Sequence, residues 1–314
     1  EMTSSLVGSE MCIRDSPNAI ARTLKTNRSY NLGVLFQEKR GTGLTHSFFA
    51  SVLDAFKSAG EKRGYDITFI NHHIGWTGMT YLEHCRYRNV DGVCVVCADF
   101  YAPEVIELVD SNLPVVTIDH SFNNRSCVLS DNIGGLKLLV DAAYQKGHRK
   151  IAYVHGEKSS VTENRIIGFY RAMQEHGLNV NPDFVVEALY DNPATSMQAV
   201  LNLMNRPDTP TCILLPDDHS TLGAMQAAKQ LNLRVPEDLS LAGYDGIRLT
   251  QMLQPRLTTI EQDTKRIGAQ AAEFLIDRIE NPRTAGSETA TIPVKLLEGE
   301  SMGICPVKTD AANS

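Results

Sequence analysis

Carboxylates stand just after three short apolar runs. Asp119 follows residues 115–118, Asp217 and Asp218 follow residues 212–215, and Asp245 follows residues 239–242 within Gly243-Tyr244-Asp245. Each run has the length and composition of a buried strand. In open α/β sheets, ligands bind outside the carboxyl ends of the strands. Carboxylates placed there accept hydrogen bonds from hydroxyls, and Arg165 can donate in return. The competing use of a strand-end aspartate is to cap the next helix, which fits Asp218 before a helix over 219–231. Taken as a set, these residues read as ligand contacts. Several acids with a single arginine suit a neutral, polyhydroxylated ligand better than an anion.

Other chemistries lack their residues. The sequence has no G-x-x-x-x-G-K-[ST] phosphate loop, no G-x-S-x-G elbow and no H-E-x-x-H zinc motif. Gly41-Thr42-Gly43 follows the first strand, but His46 stands where a third glycine would complete a dinucleotide fingerprint. His72-His73 has no ligand-type neighbour and reads as surface loop. Cys94 and Cys97 form a C-x-x-C inside a buried-strand run, where a spacing of three points them to opposite faces. No second Cys/His pair follows at zinc spacing, so they read as core residues. The reading is therefore a non-enzyme with neither metal nor cofactor. Seven scattered cysteines are an odd number, which suits a reducing cytoplasm and not a disulfide framework.

The elements that position these residues alternate. Strands are predicted at 32–36, 66–70, 92–97 and 115–118, with helices at 48–62, 81–87 and 103–111 between them. The alternation restarts with a helix at 133–146, then a strand at 150–154 and helices at 162–176 and 194–205. A strand at 212–215, a helix at 219–231 and a strand at 239–242 complete it. Two such modules predict an α/β fold of two Rossmann-like lobes with parallel sheets and a cleft between them. A helix at 264–280 and a strand at 290–296 are left over, and 307–314 reads as a flexible tail. No apolar run approaches the ~20 residues that span a membrane, and no secretory leader pattern opens the sequence.

The formal net charge is −7, yet Arg14, Arg22, Lys25, Arg28, Lys39 and Arg40 face only Asp15 and Glu38 between positions 14 and 40. Within that basic stretch, PNAIARTLKT at 17–26 is a short, Pro-started helix pattern directly before the first buried strand. Residues 1–16 show no helical or strand period and are too short for a three-helix DNA reader. They are expected to be a non-native or disordered segment.

Six motifs in order carry a family resemblance: PNAIARTLKTNRSYNLGVLF at 17–36, GHRKIAYVHG at 147–156, NRIIGFYRAM at 164–173, LPDDHSTLGAM at 215–225, VPEDLSLAGYDG at 235–246 and LTTIEQD at 257–263. Together they resemble the LacI/GalR family of bacterial transcription factors over about 17–304. The resemblance implies a periplasmic-binding-protein-like core of two lobes joined by three crossovers. Its first lobe would comprise 30–129 plus 264–288, and its second 130–262 plus 289–306. It implies a homodimer whose cleft binds a small effector, a sugar or sugar derivative, that controls operator DNA in the full-length parent. By motif position the effector residues would be Asp119, Arg165, Asp217, Asp245 and Gln262. Thr45, His46, Phe48 and Phe49 would close over the ligand. Asp217 departs from the asparagine common in the family. Asp191 holds the position of a family aromatic, with Tyr190 beside it. Residues 17–28 match the hinge helix, with Leu24 as the wedge that enters the minor groove and Asn18, Ala21, Arg22 and Lys25 beside it. Arg22, Lys25 and Arg28 would meet phosphates. Two alternatives are a periplasmic-type sugar-binding protein of a transport system, which has no use for a hinge helix, and a Rossmann-like enzyme, which would need a phosphate loop.

Overall fold

The computed structural model describes residues 28–38, 43–74 and 76–306. The hinge residues Asn18, Ala21, Arg22, Leu24 and Lys25, the segment 1–16 and the tail 307–314 lie outside them. The chain opens with β1 (Asn31–Phe36), α1 (Ser47–Lys62), β2 (Asp66–Ile70) and a small hairpin of β3 (His73–Ile74) and β4 (Thr77–Gly78). It continues through α2 (Tyr81–Tyr87), β5 (Gly92–Cys97), α3 (Pro103–Asp110), β6 (Val115–Ile118) and β7 (Ser126–Ser130). A second run follows: α4 (Asn132–Gln145), β8 (Ile151–His155), α5 (Ser160–Glu175), β9 (Val185–Glu187), α6 (Pro193–Met204), β10 (Cys212–Leu214), α7 (Asp218–Gln230) and β11 (Ser240–Ala242). The last elements are β12 (Thr259–Gln262), α8 (Thr264–Glu280), β13 (Thr289–Ile292) and β14 (Val294–Leu297).

Two parallel sheets result, as the alternation requires. The first has strand order β13-β7-β6-β5-β1-β2, and the second β11-β10-β8-β9. Central strands such as β5 are apolar on both faces because both faces are covered. On one side of the first sheet, Val52 and Phe56 of α1 and Leu275 of α8 pack with Val34, Cys94 and Val116. On the other, Tyr81, Cys85, Val105 and Leu108 of α2 and α3 pack with Leu35, Val93 and Val95. The second sheet is sandwiched likewise, with Leu139 and Phe169 of α4 and α5 against Tyr153 and Leu214. Val200 and Ala227 of α6 and α7 lie against Val154 and Ile213 on the opposite side.

The end of the chain corrects the sequence reading. One strand was expected at 290–296, within a second lobe that included 289–306. The structure instead has two strands in different places. β13 adds in parallel to the edge of the first sheet beside β7, whereas β14 pairs antiparallel with β12. Pro293 separates them. Its ring nitrogen has no hydrogen to give a ladder, so a continuous strand is interrupted there and the chain passes from one sheet to the other. Five short strands escaped the sequence reading, namely β3, β4, β7, β9 and β12. None has the long apolar run of the central strands.

Two smaller expectations are also resolved. Cys94 faces the first core while Cys97, three residues on, lines a cavity, so the C-x-x-C cysteines do point apart. The Arg28 guanidinium, expected at phosphates, donates from Nη2 to the carbonyls of Ile279 and Glu280 at 3.3 and 3.1 Å. It thus satisfies carbonyls at the C-terminus of α8, the end of a helix that favours a cation.

A cleft between the two sheets as the candidate ligand site

The carboxyl ends of both sets of strands face one cavity of about 360 Å³. Loops after β1, β5 and β6 supply the first lobe's wall. Loops after β8, β9, β10 and β11, with the end of β12, supply the second's. Ten of the eleven effector residues expected from sequence line it: His46, Phe48, Phe49, Asp119, Arg165, Tyr190, Asp191, Asp217, Asp245 and Gln262. Thr45 does not. It ends the 3-10 turn Gly43–Thr45 before α1 and is exposed outside the cavity wall.

Arg165 sits at the centre. Ser159 caps α5 by accepting from the Thr162 amide, and the helix then carries Arg165 inward one turn later, where it is 4% exposed. Its Nε donates to Asn132 Oδ1 at 2.8 Å and its Nη1 to the Pro216 carbonyl at 2.7 Å. Its guanidinium carbon lies 3.5 Å from the Tyr244 ring centroid and 5.8 Å from that of Tyr190. Burial works against the charge, but Tyr190, Tyr244 and Asp245 outweigh it and hold the arginine above its ordinary pKa. Arg165 is therefore a fixed cation.

The acids around it occupy unusual backbone. Asp119, Asp191 and Asp245 have φ of 60°, 49° and 109°. Residues other than glycine seldom take such angles, and they concentrate where the surrounding fold imposes a function. The Ser130 amide donates to Asp119 Oδ1 at 3.2 Å, and Gln262 Nε2 donates to Asp245 Oδ1 at 2.7 Å. Burial raises the pKa of both aspartates, more strongly for Asp245, where Asp217 and Asp218 add repulsion against the relief from Arg165. Two polar atoms of the wall, His46 Nδ1 and Gln262 Oε1, are buried and lack a hydrogen-bond partner. Burial lowers the His46 pKa, against the attraction of Asp191 and Asp217.

Asp217 lines the cavity as expected and also takes the capping role expected of Asp218. Asp217 is the helix cap, accepting at Oδ1 from the Ser220 amide at 2.7 Å. Its Oδ2 accepts from Ser220 Oγ and the Asp191 amide, each at 2.8 Å, so much of its acceptor capacity is already used. Asp218 is the first residue of α7, is fully buried, and does not line the cavity. Strand β10 ends one residue earlier than expected, so the cap moves back one position.

Tyr190 reaches the cavity beside Asp191, with its hydroxyl 2.8 Å from Thr162 Oγ1. The sequence reading missed an aromatic group on the first lobe. Phe100 stacks on His120 with ring centroids 4.5 Å apart and planes at 10°, and Tyr101 meets His120 edge-on at 5.4 Å. His120 Nδ1 is hydrogen-bonded to Ser160 Oγ of the second lobe at 2.6 Å, directly across the cleft. The strand-end rule that selected Asp119 would have found these residues had it been applied to rings as well as carboxylates. His120 follows Asp119, and Phe100-Tyr101 follow β5.

The geometry agrees with comparisons to known proteins. Residues 140–302 match the profile of a periplasmic binding protein-like domain. The chain is 33% identical to a ribose operon repressor of Haemophilus influenzae over 276 residues, spanning 85% of this chain and 80% of that one. It is 31% identical to the HTH-type transcriptional repressor PurR of Pectobacterium atrosepticum over 301 residues, spanning 93% and 86%. Among solved structures, a LacI family regulator from Enterococcus faecium with bound ribose superposes with a TM-score of 0.74 at 23% identity, covering 87% of this chain and 99% of that one. A transcriptional regulator CelR–cellobiose complex gives 0.76 at 22% identity, covering 90% and 89%. Two parallel sheets facing one cleft, with an arginine and strand-end aspartates on its walls, and relatives of this identity over most of the chain lead to one conclusion: the chain belongs to the LacI/GalR family of transcriptional regulators.

Proposed function

We propose that this protein is a ligand-responsive transcriptional repressor. A small, neutral, polyhydroxylated effector of the sugar class closes the cleft between the two lobes. The observation that carries this reading is the composition of the cavity wall. Arg165 is a fixed donor, Asp119 and Asp245 are acceptors raised in pKa by burial, and Gln262 Oε1 is an acceptor without a partner. Hydroxyl groups can donate and accept in turn, so a polyol satisfies all of them without bringing a charge into a site already rich in acids. The aromatic faces of Phe100, Tyr101 and Tyr190 supply apolar surface for a sugar ring.

In this reading the protein acts in the cytoplasm as a homodimer. Effector binding changes the relative placement of the first lobes and so the spacing of the hinge segments 17–28 on operator DNA. Such a coupling between sites amounts to about 1–3 kcal/mol. The names of the relatives, a ribose operon repressor and PurR, support a repressor, and the ribose and cellobiose in two structural neighbours support a sugar. Isothermal titration against ribose, glucose and cellobiose, each beside a phosphorylated or carboxylated counterpart, tests the effector class. Tight binding of the anionic forms alone refutes it. Sedimentation at micromolar concentration tests the dimer.

A further inference from the structure

Asp218 is a buried acid that the proposed ligand does not touch, yet three segments that build the cavity meet on it. Thr259 Oγ1, at the start of β12, donates to its Oδ1 at 2.5 Å. The Ile247 amide donates to Oδ2 at 2.9 Å, and Thr250 Oγ1 stands at the same distance from that oxygen. The carboxylate itself opens α7, directly after the cap Asp217. The segments it gathers each carry a residue of the cavity wall. Asp217 precedes it, Asp245 lies two residues before Ile247, and Gln262 lies three residues after Thr259. Gln262 and Asp245 are then bonded to each other at 2.7 Å, which closes a ring from Asp218 through the loop to Asp245, across to Gln262, and back along β12.

The backbone makes room for this junction. A Cβ on Gly243 would fall 2.3 Å from Asp218 Oδ1 and 2.8 Å from Thr221 Oγ1. Only glycine lets the strand end pass this close to the carboxylate, so the junction and the Gly243-Tyr244-Asp245 turn depend on each other.

We propose that Asp218 is a positioning residue: by tying the 247–250 loop and β12 to the start of α7, it sets where Asp245 and Gln262 stand for the effector. It rests on the reading of the cleft as the effector site, but its own geometry can be tested without any ligand. The carboxyl can also change state near neutrality. Burial lifts it from 3.8 to about 7, against its hydrogen bonds from Thr259, Ile247 and Thr250, while the neighbouring Asp217 adds to the rise. The charged groups that face it are Asp217 on its own helix and Asp245 beyond Gly243, both acidic. Ionised, it accepts from every donor in the ring. Protonated, it must donate at one oxygen, and one threonine hydroxyl has to turn away.

The test is amide hydrogen exchange on the whole chain, comparing wild type with Asp218→Asn and, as a milder change, Thr259→Val. The expected result for Asp218→Asn is exchange at least tenfold faster across 246–250 and 259–262, with β1 and β5 unchanged. Thr259→Val should loosen only the 259–262 side. After correction for intrinsic rates, wild-type protection in these segments should change with a midpoint near pH 7, and the asparagine variant should show no such step. Titration with D-ribose adds a second reading, a loss of at least tenfold in affinity in Asp218→Asn while the variant still unfolds cooperatively. Unchanged exchange in both variants overturns the proposal, as does loosening spread evenly over the second sheet or a pH step that persists without the carboxylate. If wild type binds no sugar but the exchange pattern holds, it is the effector reading that fails, and the positioning role stands.

Discussion

Replacing Arg165 by methionine keeps the length of the stem and removes the charge. Two costs follow from the structure. The first falls on stability. Asn132 Oδ1 and the Pro216 carbonyl lose their donors, and Asp245 loses the cation that offsets its burial. Removing one partner from a buried charge arrangement costs about 3–5 kcal/mol. At roughly 2–4 °C per kcal/mol for a domain-sized unit, the midpoint of thermal unfolding should fall by about 6–20 °C. The second cost falls on binding. One charge-assisted hydrogen bond to the effector is worth about 1.5–3 kcal/mol, so affinity for a sugar that binds wild type should drop about 10- to 150-fold. The two effects separate in the double variant Arg165→Met/Asp245→Asn. Neutralising the stranded acid should recover part of the stability and none of the affinity. Differential scanning calorimetry and isothermal titration on the four proteins of the cycle provide the numbers. The reasoning is refuted if Asp245→Asn adds its full effect in the methionine background, because the two groups would then be uncoupled.

Three further outcomes are expected. Gly223→Ala would place a Cβ 1.8 Å from the Pro193 carbonyl oxygen, where α7 crosses the start of α6, and should destabilise the fold by about 3 kcal/mol in urea unfolding, leaving residual folded protein able to bind. Ser160→Ala removes the bond across the cleft to His120; a net loss of about 1 kcal/mol should weaken effector binding about fivefold, and scattering should show a wider spread of lobe separations in the free protein. His148 is fully buried between Thr211 and the Gly303 carbonyl, and burial lowers its pKa. The folded state therefore binds this proton less tightly than the unfolded state, so the contribution of His148 to stability is present above about pH 6.5 and is lost as the pH falls below it. Unfolding midpoints between pH 5 and 7.5 should fall less steeply in His148→Gln.

The parts of the molecule legible in the sequence were those with a strong local signal. The α8 bounds agree at both ends because Asp263 caps its start and an apolar stripe from Ile267 to Ile279 fixes its period. The strand-end aspartates were found because an apolar run followed by a carboxylate is a short-range pattern. Relations set by tertiary contact were not visible. The sequence of 290–296 reads as one strand, and only the docking of β13 beside β7 and of β14 on β12 divides its work between two sheets. Asp217 and Asp218 are adjacent and identical in type, so nothing local tells which caps α7 at the cavity wall and which turns away from it. Thr45 shares a loop with His46, and the turn decides which of them reaches the cavity. The bond between His120 and Ser160 depends on strand β6 ending opposite the start of α5, a meeting of segments 40 residues apart.

The division at Pro293 bears on the order in which the molecule can assemble. The first sheet takes its edge strand from residues 289–292 and part of its core, including Ile267, Leu275 and Ile292, from the last fifth of the chain. On a ribosome, the first half of the polypeptide emerges with β5 and β6 made but with the face destined for α8 still bare. The second sheet has its strands and helices contiguous between α4 and β11, but its core also waits for Ile260 of β12 and for Leu296 and Met302 near the end of the chain. Contacts of such long sequence separation form slowly, and a bare apolar face invites association while it waits. Shortening the chain just before α8 should therefore leave neither core complete: the first would lose α8 and β13, and the second would lose β14 and Met302.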